Sequence, residues 1–436
     1  MLLRTIKGIL SSKDGRSVGE RSLPQLEYRR GGLVIGFLVC GSQGNALREQ
    51  MLENLKPLEP YCAGVRLIDL GSSDWQDELY DAFRDPVWFA LSHFGVGELV
   101  SDGRGGWWSP WVAAGVPFVR IFGDLPAYFP VKHVQRFSNS LNIYGHREHH
   151  EFYKSNFHNR GISAFVTTGL FDVVDESSVD FKEKVAGRLI IFPKNGNCPE
   201  DLMTYWRRQL PEGVSALLLD LAEQLRSNLN VEHDLRQLVL NSFGDVDVSA
   251  CDRLVFFLCA QLDDYLRREK SLMLATALLD YPVTIRGGNW EHIDFSGRRA
   301  RYDPDCDYGR TRSLIDSAIA VVDMSPNTCL TPHDRALRAA GRFTAFFTNE
   351  QDFFKKNFYF YRDFVFKFSK DSICERIEFG LSRPEAVVEM GVEQGRLMRN
   401  IVPESLYVQQ MLSAIDAVAM ACGGRPEGTQ GFVDYS

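Results

Sequence analysis

An α/β protein of two Rossmann-like domains is what the sequence predicts, on three observations. The chain has 436 residues, more than one hydrophobic core of ordinary size organises, so two domains are expected. Leu33–Cys40 is an unbroken apolar run, followed by Gly41-Ser42-Gln43-Gly44 and then by Asn45–Leu55 with helical spacing. That succession is a buried strand, a tight loop and a helix, the opening unit of a doubly wound sheet. The same alternation continues to about residue 168 and resumes after residue 270, which implies parallel strands.

Residues 1–30 carry seven Lys/Arg against three Asp/Glu and read as a basic, solvated leader. The first domain, 31–188, has further strands at Val65–Ile68, Val87–Leu91, Phe118–Ile121 and Ala164–Val166. Helices fill its intervals, around Trp75–Phe83 and Glu98–Ala114. Leu189–Phe192 opens the second domain, 189–405, and leads into the loop Pro193–Pro199. Residues 200–270 are mainly helical, with Leu/Phe periodicity and frequent charges. Strands return at Pro282–Ile285, Ala318–Asp323, Phe343–Phe347 and Phe364–Phe366. Helices are expected at Thr311–Ser317, His333–Ala340, Ser372–Leu381 and Arg383–Asn400. A terminal segment, 406–436, holds a helix over Leu406–Ala421 and a Gly/Pro-rich end that reads as a frayed tail.

Hydrophobic residues make up 44% and charged residues 24% of the chain, the balance of a protein that buries real cores. A net charge of -8 argues against a surface built for nucleic acid. No apolar run reaches the length of a membrane span. The nine cysteines stand singly, with no CxxC pair, and read as reduced thiols of a cytoplasmic protein.

Chemistry gathers in the loops that follow the strands of the second domain: Arg286–Trp290, Ser325–Asn327 and Thr348–Glu350. In open α/β sheets that edge is where ligands sit. Gly287 and Gly288 let backbone approach a phosphate, and Arg286 offers a forked cation. His333 and Arg335 open a helix whose first-turn N–H groups favour an anion. Lys194, after the first strand of this domain, reaches toward the same anion. The expected donor-side residues are therefore Lys194, Arg286, Gly287, Gly288, Trp290, Ser325, Asn327, His333, Arg335, Thr348 and Asn349.

The order of these motifs resembles the CgeB-like, spore-protein-type glycosyltransferases. Their catalytic half runs from a strand into Gly-x-Trp, through a helix and a strand ending in an Asn/Pro loop, to an Arg that leads a helix ending near Gly. Here those are Gly288-Asn289-Trp290, Asp323–Asn327 and His333–Gly341. The resemblance covers about Arg267 to Ile401 and is fainter over Gly32–Thr168, where Ile121–Pro126 matches an Asp-x-Pro loop. It implies a GT-B fold, a nucleotide-sugar donor bound between the domains, an acceptor glycan or protein, and no cofactor or metal. One departure is Arg338, which stands where the family has Glu and leaves the identity of the donor open.

In that architecture the acceptor lies on the first domain, which makes Asp124 and His93, each after a strand, the candidate catalytic bases. Trp107, Trp108 and Trp111 offer an apolar platform, or belong to the core. Two clusters invite a metal. Asp303, Asp305 and Asp307 lie before a helix rather than at a strand end, and His146 and His150 lack the usual order and a third ligand. Neither is taken as a metal site. The rival to sugar transfer is a glycan- or nucleotide-binding protein that keeps the fold without turnover. A metal-dependent hydrolase built on His146–His150 is more distant.

Overall fold

The computed structural model describes residues 28–421, apart from 40–44, 102–106, 135–136, 159–160, 245, 247, 249–250 and 326. Packing divides the chain into two units, residues 1–167 with 405–436, and residues 168–404. The loop 41–44, most of the basic leader and the tail after Cys422 lie outside the described residues.

The first unit holds β1 (Tyr28–Leu38), β2 (Gly64–Asp69), β3 (Val87–His93), the short β4 (Val100–Ser101) and β5 (Trp107–Trp108), then β6 (Phe118–Phe122), β7 (Ser140–Tyr144) and β8 (Ile162–Phe165). Six of them form one sheet in the order β2-β1-β3-β6-β7-β8, every pairing parallel. The second unit holds β9 (Ile190–Pro193), β10 (Val283–Arg286), β11 (Arg301–Asp303), β12 (Ala320–Val322), β13 (Ala345–Asn349) and β14 (Val365–Phe366). Its sheet runs β11-β10-β9-β12-β13-β14, again parallel throughout. Both units are thus doubly wound. In each, the strand order reverses beside the first strand, so the switch points fall between β1 and β3 and between β9 and β12.

The apolar runs become strands because both faces of these sheets are covered, and Leu33, Val34, Ile35, Phe37 and Leu38 are all buried. β7 escapes that pattern. Its Ser140 and Asn142 are buried polar residues, bonded to Glu98 and to the His133 carbonyl. β11 escapes it as a polar edge strand, Arg-Tyr-Asp.

The helix expected over Glu98–Ala114 is instead the β4–β5 hairpin and a five-residue helix, Pro110–Ala114. Gly95 and Gly97 take positive φ just before it, and a Cβ at Gly97 would meet the Phe37 ring at 2.7 Å. No right-handed helix passes through that corner.

The sequence puts the domain boundary at 188, whereas packing puts it at 167. Buried Lys184 donates to Thr344 Oγ1 at 2.5 Å and to the Arg342 carbonyl at 3.4 Å, and Arg342 pairs with Asp172 at 2.8 Å. Residues 168–188 are held to the second unit by these bonds. The last helix, Glu404–Ala421, packs in the first unit, where Tyr407 donates to the Asn54 carbonyl and Arg30 pairs with Asp416. Among the described residues no helix is long and apolar enough to cross a membrane, and the described cysteines are free thiols.

Three histidines of the first unit make its stability depend on pH. Burial lowers His93 to about 4, His133 to about 3 and His150 to about 4. The unfolded chain, with His near 6.5, therefore binds more protons than the folded one as the medium is acidified. Stability present above pH 6.5 should fall between about 6.5 and 4. Urea midpoints taken across that window check this, and a flat profile would refute it.

Candidate functional site

The loops after β9 and β10 are built as one piece. The Lys194 N–H donates to the Arg286 carbonyl at 2.8 Å, and the Gly196 N–H to the Gly288 carbonyl at 2.9 Å. Trp290, 1% exposed, donates its indole N–H to the Lys194 carbonyl at 2.7 Å. A Cβ at Gly196 would collide with that indole ring. Gly287 has φ +130°, and a Cβ there would lie 2.6 Å from the Lys194 carbonyl oxygen and Asn195 Oδ1. Close backbone approach is the reason for both glycines.

Arg286 does not present an open fork. Its side chain is 1% exposed, with Asp303 at 2.5 Å, Asp305 at 3.1 Å, Thr311 Oγ1 at 2.8 Å and the Asp307 carbonyl at 3.3 Å. The acidic loop is its counter-charge: Asp305 also pairs with Arg310 at 3.0 Å, and Asp307 caps the helix Tyr308–Ser317. Arg286 and its loop hold the Gly287-Gly288 backbone in place rather than meeting a ligand through the guanidinium.

The cations at the β9/β12 switch point are differently disposed. Arg335 donates Nε to Asp323 Oδ1 at 2.9 Å and approaches the Met324 carbonyl at 3.5 Å, with 15% of its side chain exposed. Asp323 is wholly buried at the end of β12. Burial opposes its charge, yet His333 and Arg335 outweigh that and hold the carboxyl below its ordinary range. His333 caps the helix Asp334–Gly341, its Nδ1 lying 3.5 Å from the Arg335 N–H and 2.7 Å from Asp334 Oδ1. A single imidazole nitrogen either accepts from the first or donates to the second, so the tautomer selects between them. Asp334 already supplies negative charge to that helix end. An incoming anion is therefore met mainly by side-chain cations.

Lys194 completes this edge. Burial, then the charges of Arg335 and Arg267, lower its ammonium to about 7, with Asp334 and Asp323 opposing. Some of its surface stays exposed, and no hydrogen bond to a described residue contributes to its charge balance. A cation placed among cations is poised to receive an anion.

The remaining expected residues brace the loops. The Ser325 hydroxyl donates to the Thr328 carbonyl at 2.7 Å, while the Ser325 N–H donates to Asn349 Oδ1 at 2.7 Å. Asn327 bonds both the N–H and the carbonyl of His233, at 2.9 Å each. Buried Thr348 accepts from Gln351 at 3.2 Å. Arg338 pairs with Asp334 at 3.1 Å and stacks 4.7 Å over Tyr308. Asp323 and Arg267 are the residues the sequence reading missed. Asp323 ended a strand without a visible partner, and Arg267 looked like one more charge on a long helix.

In the first unit, His93 ends β3 and Asp124 follows β6, its neighbour, so both stand at the carboxyl edge of the sheet. Among the described residues, buried His93 Nε2 has no hydrogen-bond partner, and burial keeps the imidazole neutral down to about pH 4. Trp111 belongs to the core, fully buried against Phe37, Phe83 and Phe118. The side chains of Trp107 and Trp108 lie outside the described residues. His146 precedes its helix as the N-cap, while His150 bonds Ser163 Oγ at 3.1 Å. The His150 N–H donates to the His146 carbonyl at 3.2 Å, and the His146 ring packs edge-on against His149.

No family model matches the chain, and no curated protein matches it either. The resemblance to CgeB-like enzymes therefore rests on its motifs. Among solved structures, the chain is similar to HepE of Anabaena in complex with UDP-glucose, at TM-score 0.47 and 10% identity over 88% of this chain and 99% of that one. It is similar also to the BGT of phage T4 in complex with its UDP-glucose substrate, at 0.45 and 8% over 90% and 99%. Sucrose-phosphate synthase from Thermosynechococcus elongatus follows, at 0.43 and 9% over 89% and 100%. Likenesses this distant carry no argument about the chemistry of this chain.

Proposed function

We propose that the chain is a metal-independent glycosyltransferase of the GT-B type, moving a sugar from a nucleoside-diphosphate sugar to a glycan or protein acceptor. The observation that carries this reading is the meeting of Lys194 and Arg335 at the switch point of the second sheet. A departing diphosphate needs cations fixed in advance where its charge develops, and such preorganisation is usually the largest part of catalysis. Asp303 and Asp305 are already matched to Arg286 and Arg310, which supports a reaction without a divalent ion at that loop. On the acceptor side, Asp124 or His93 removes the hydroxyl proton as the new glycosidic bond forms and the diphosphate leaves. Free thiols support a cytoplasmic location.

A second reading, donor binding without transfer, is favoured by Arg338 in the place of the family Glu. One experiment separates the two. A panel of sugar nucleotides is screened by thermal shift, since a ligand of the folded state raises its stability, and hits are assayed for transfer in EDTA. Arg335→Met and Lys194→Met should each weaken binding of the matching nucleoside diphosphate by about 1.5–3 kcal/mol, the range for hydrogen bonds to charged groups. Unchanged affinity in both variants, with the fold intact, would remove the site. Binding with no transfer to any acceptor would leave the second reading.

A further inference from the structure

A third cation acts on Lys194 beside Arg335, and it comes from outside the loops that follow the strands. Arg267 lies on the long helix Asp252–Leu278. The turn it belongs to touches both sides of the β9/β12 switch point. Arg268 donates to the Cys198 carbonyl at 3.1 Å, at the end of the loop that begins with Lys194. Ser271, whose hydroxyl bonds the Arg267 carbonyl at 2.6 Å, contacts the Met324 sulfur at 3.4 Å. Met324 also offers its carbonyl to Arg335. Arg267 is thereby held between the two loops, with Nε on Asp263 at 2.7 Å and 23% of its side chain exposed.

We propose that Arg267 joins Lys194 and Arg335 in holding the diphosphate of the donor, and that filling this seat draws a proton from solution onto Lys194. The inference rests on the donor reading above and adds to it a residue and a proton linkage. The charges around the Lys194 ammonium are Arg335 and Arg267 on one side and Asp334 and Asp323 on the other. His333 is tied to both aspartates, and Arg286 is spent on its own acidic loop. With the seat empty, burial and two guanidinium groups disfavour the charged ammonium, and Lys194 sits at about 7. A bound diphosphate reverses the balance, because an opposite charge at short range favours the ammonium. The folded, empty protein is then partly deprotonated above pH 7, and binding takes up on the order of one proton at pH 8. Affinity should fall as the pH rises above about 7.

Calorimetry on the full chain tests this, titrating UDP, GDP, ADP, CDP and dTDP at pH 8 in two buffers of different ionisation enthalpy. The buffer dependence of the heat gives the protons taken up. Arg267→Met should weaken binding about tenfold or more, as loss of a charge-assisted hydrogen bond does, and should reduce the uptake, since Lys194 is then already more protonated. Arg267→Lys keeps the charge and should keep the uptake. Lys194→Met should abolish it. If Arg267→Met fails to fold because Asp263 loses this partner, Arg267→Gln with Asp263→Asn removes both charges and gives the same readout. Wild-type affinity in that double variant or in Arg267→Met, or uptake that survives Lys194→Met, overturns the inference while leaving the donor reading standing. If the wild-type chain binds none of the five nucleotides, the donor reading falls first.

Discussion

Replacing Arg286 with Met should destabilise the second unit by about 3–5 kcal/mol, the cost of breaking a buried charge pair by removing one partner. The side chain is 1% exposed and serves Asp303, Asp305, Thr311 and the Asp307 carbonyl at once. Lysine cannot replace a planar fork with so many partners, so Arg286→Lys should recover little. Urea unfolding followed by a probe in the second unit measures the loss. Nucleotide affinity of the remaining folded protein should decline less than in Lys194→Met, because the guanidinium is turned into its own loop. A variant as stable as the parent that nevertheless no longer binds nucleotide would restore Arg286 to direct contact with the anion.

On the acceptor side, Asp124→Asn should lower turnover by about 10²–10⁴-fold, the usual contribution of a positioned base, and leave nucleotide affinity unchanged. His93→Ala is the matched comparison, one strand away at the same edge. Burial keeps His93 neutral down to about pH 4, so a reaction using it would hold its rate until well below neutrality. Such an imidazole is free to accept a proton but binds it only about as tightly as an ordinary carboxylate, so basicity gives it no advantage in the role. Single-turnover transfer beside nucleotide titration separates the chemical step from binding. Full turnover in Asp124→Asn with loss in His93→Ala would move the base to His93. Full turnover in both would favour a retaining reaction, in which the leaving phosphate accepts the proton.

Strands with continuous apolar runs were legible in the sequence because a parallel sheet covered on both faces admits few polar residues. The runs at Leu33, Val87, Phe118, Val283 and Ala320 all became strands of the two sheets. β7 was not legible, since Ser140 and Asn142 are tolerated in the interior only through Glu98 and the His133 carbonyl, partners 42 and 9 residues away. Glu98–Ala114 holds a hairpin and a short helix instead of the expected one, and just before it Gly95 and Gly97 take positive φ where a Cβ would meet the Arg120 stem and the Phe37 ring. Packing divides the chain at 167 and not at 188 for a reason equally hidden in the sequence. Lys184 reads as a surface charge until Thr344 and the Arg342 carbonyl are beside it.

At the candidate site the sequence by itself determined which residues reach the carboxyl edge of the second sheet. Alternation of strand and helix places Lys194, Arg286, Asp323 and Asn349 at strand ends, and parallel pairing brings those ends to one side. Which cation is spent and which is open was decided only by the tertiary structure. Arg286 ends a strand and Arg335 opens a helix, and in sequence both read alike as cations on the donor side. Arg286 meets two carboxylates, a hydroxyl and a carbonyl in the interior, so its charge is satisfied there. Arg335 shares one buried carboxylate with His333, and Lys194 stands among cations, so charge is left over at the switch point. The energy of a charge depends on every other charge within a few ångströms and on the water removed from around it. Neither is a property of sequence spacing, and both are settled when the loops close on one another.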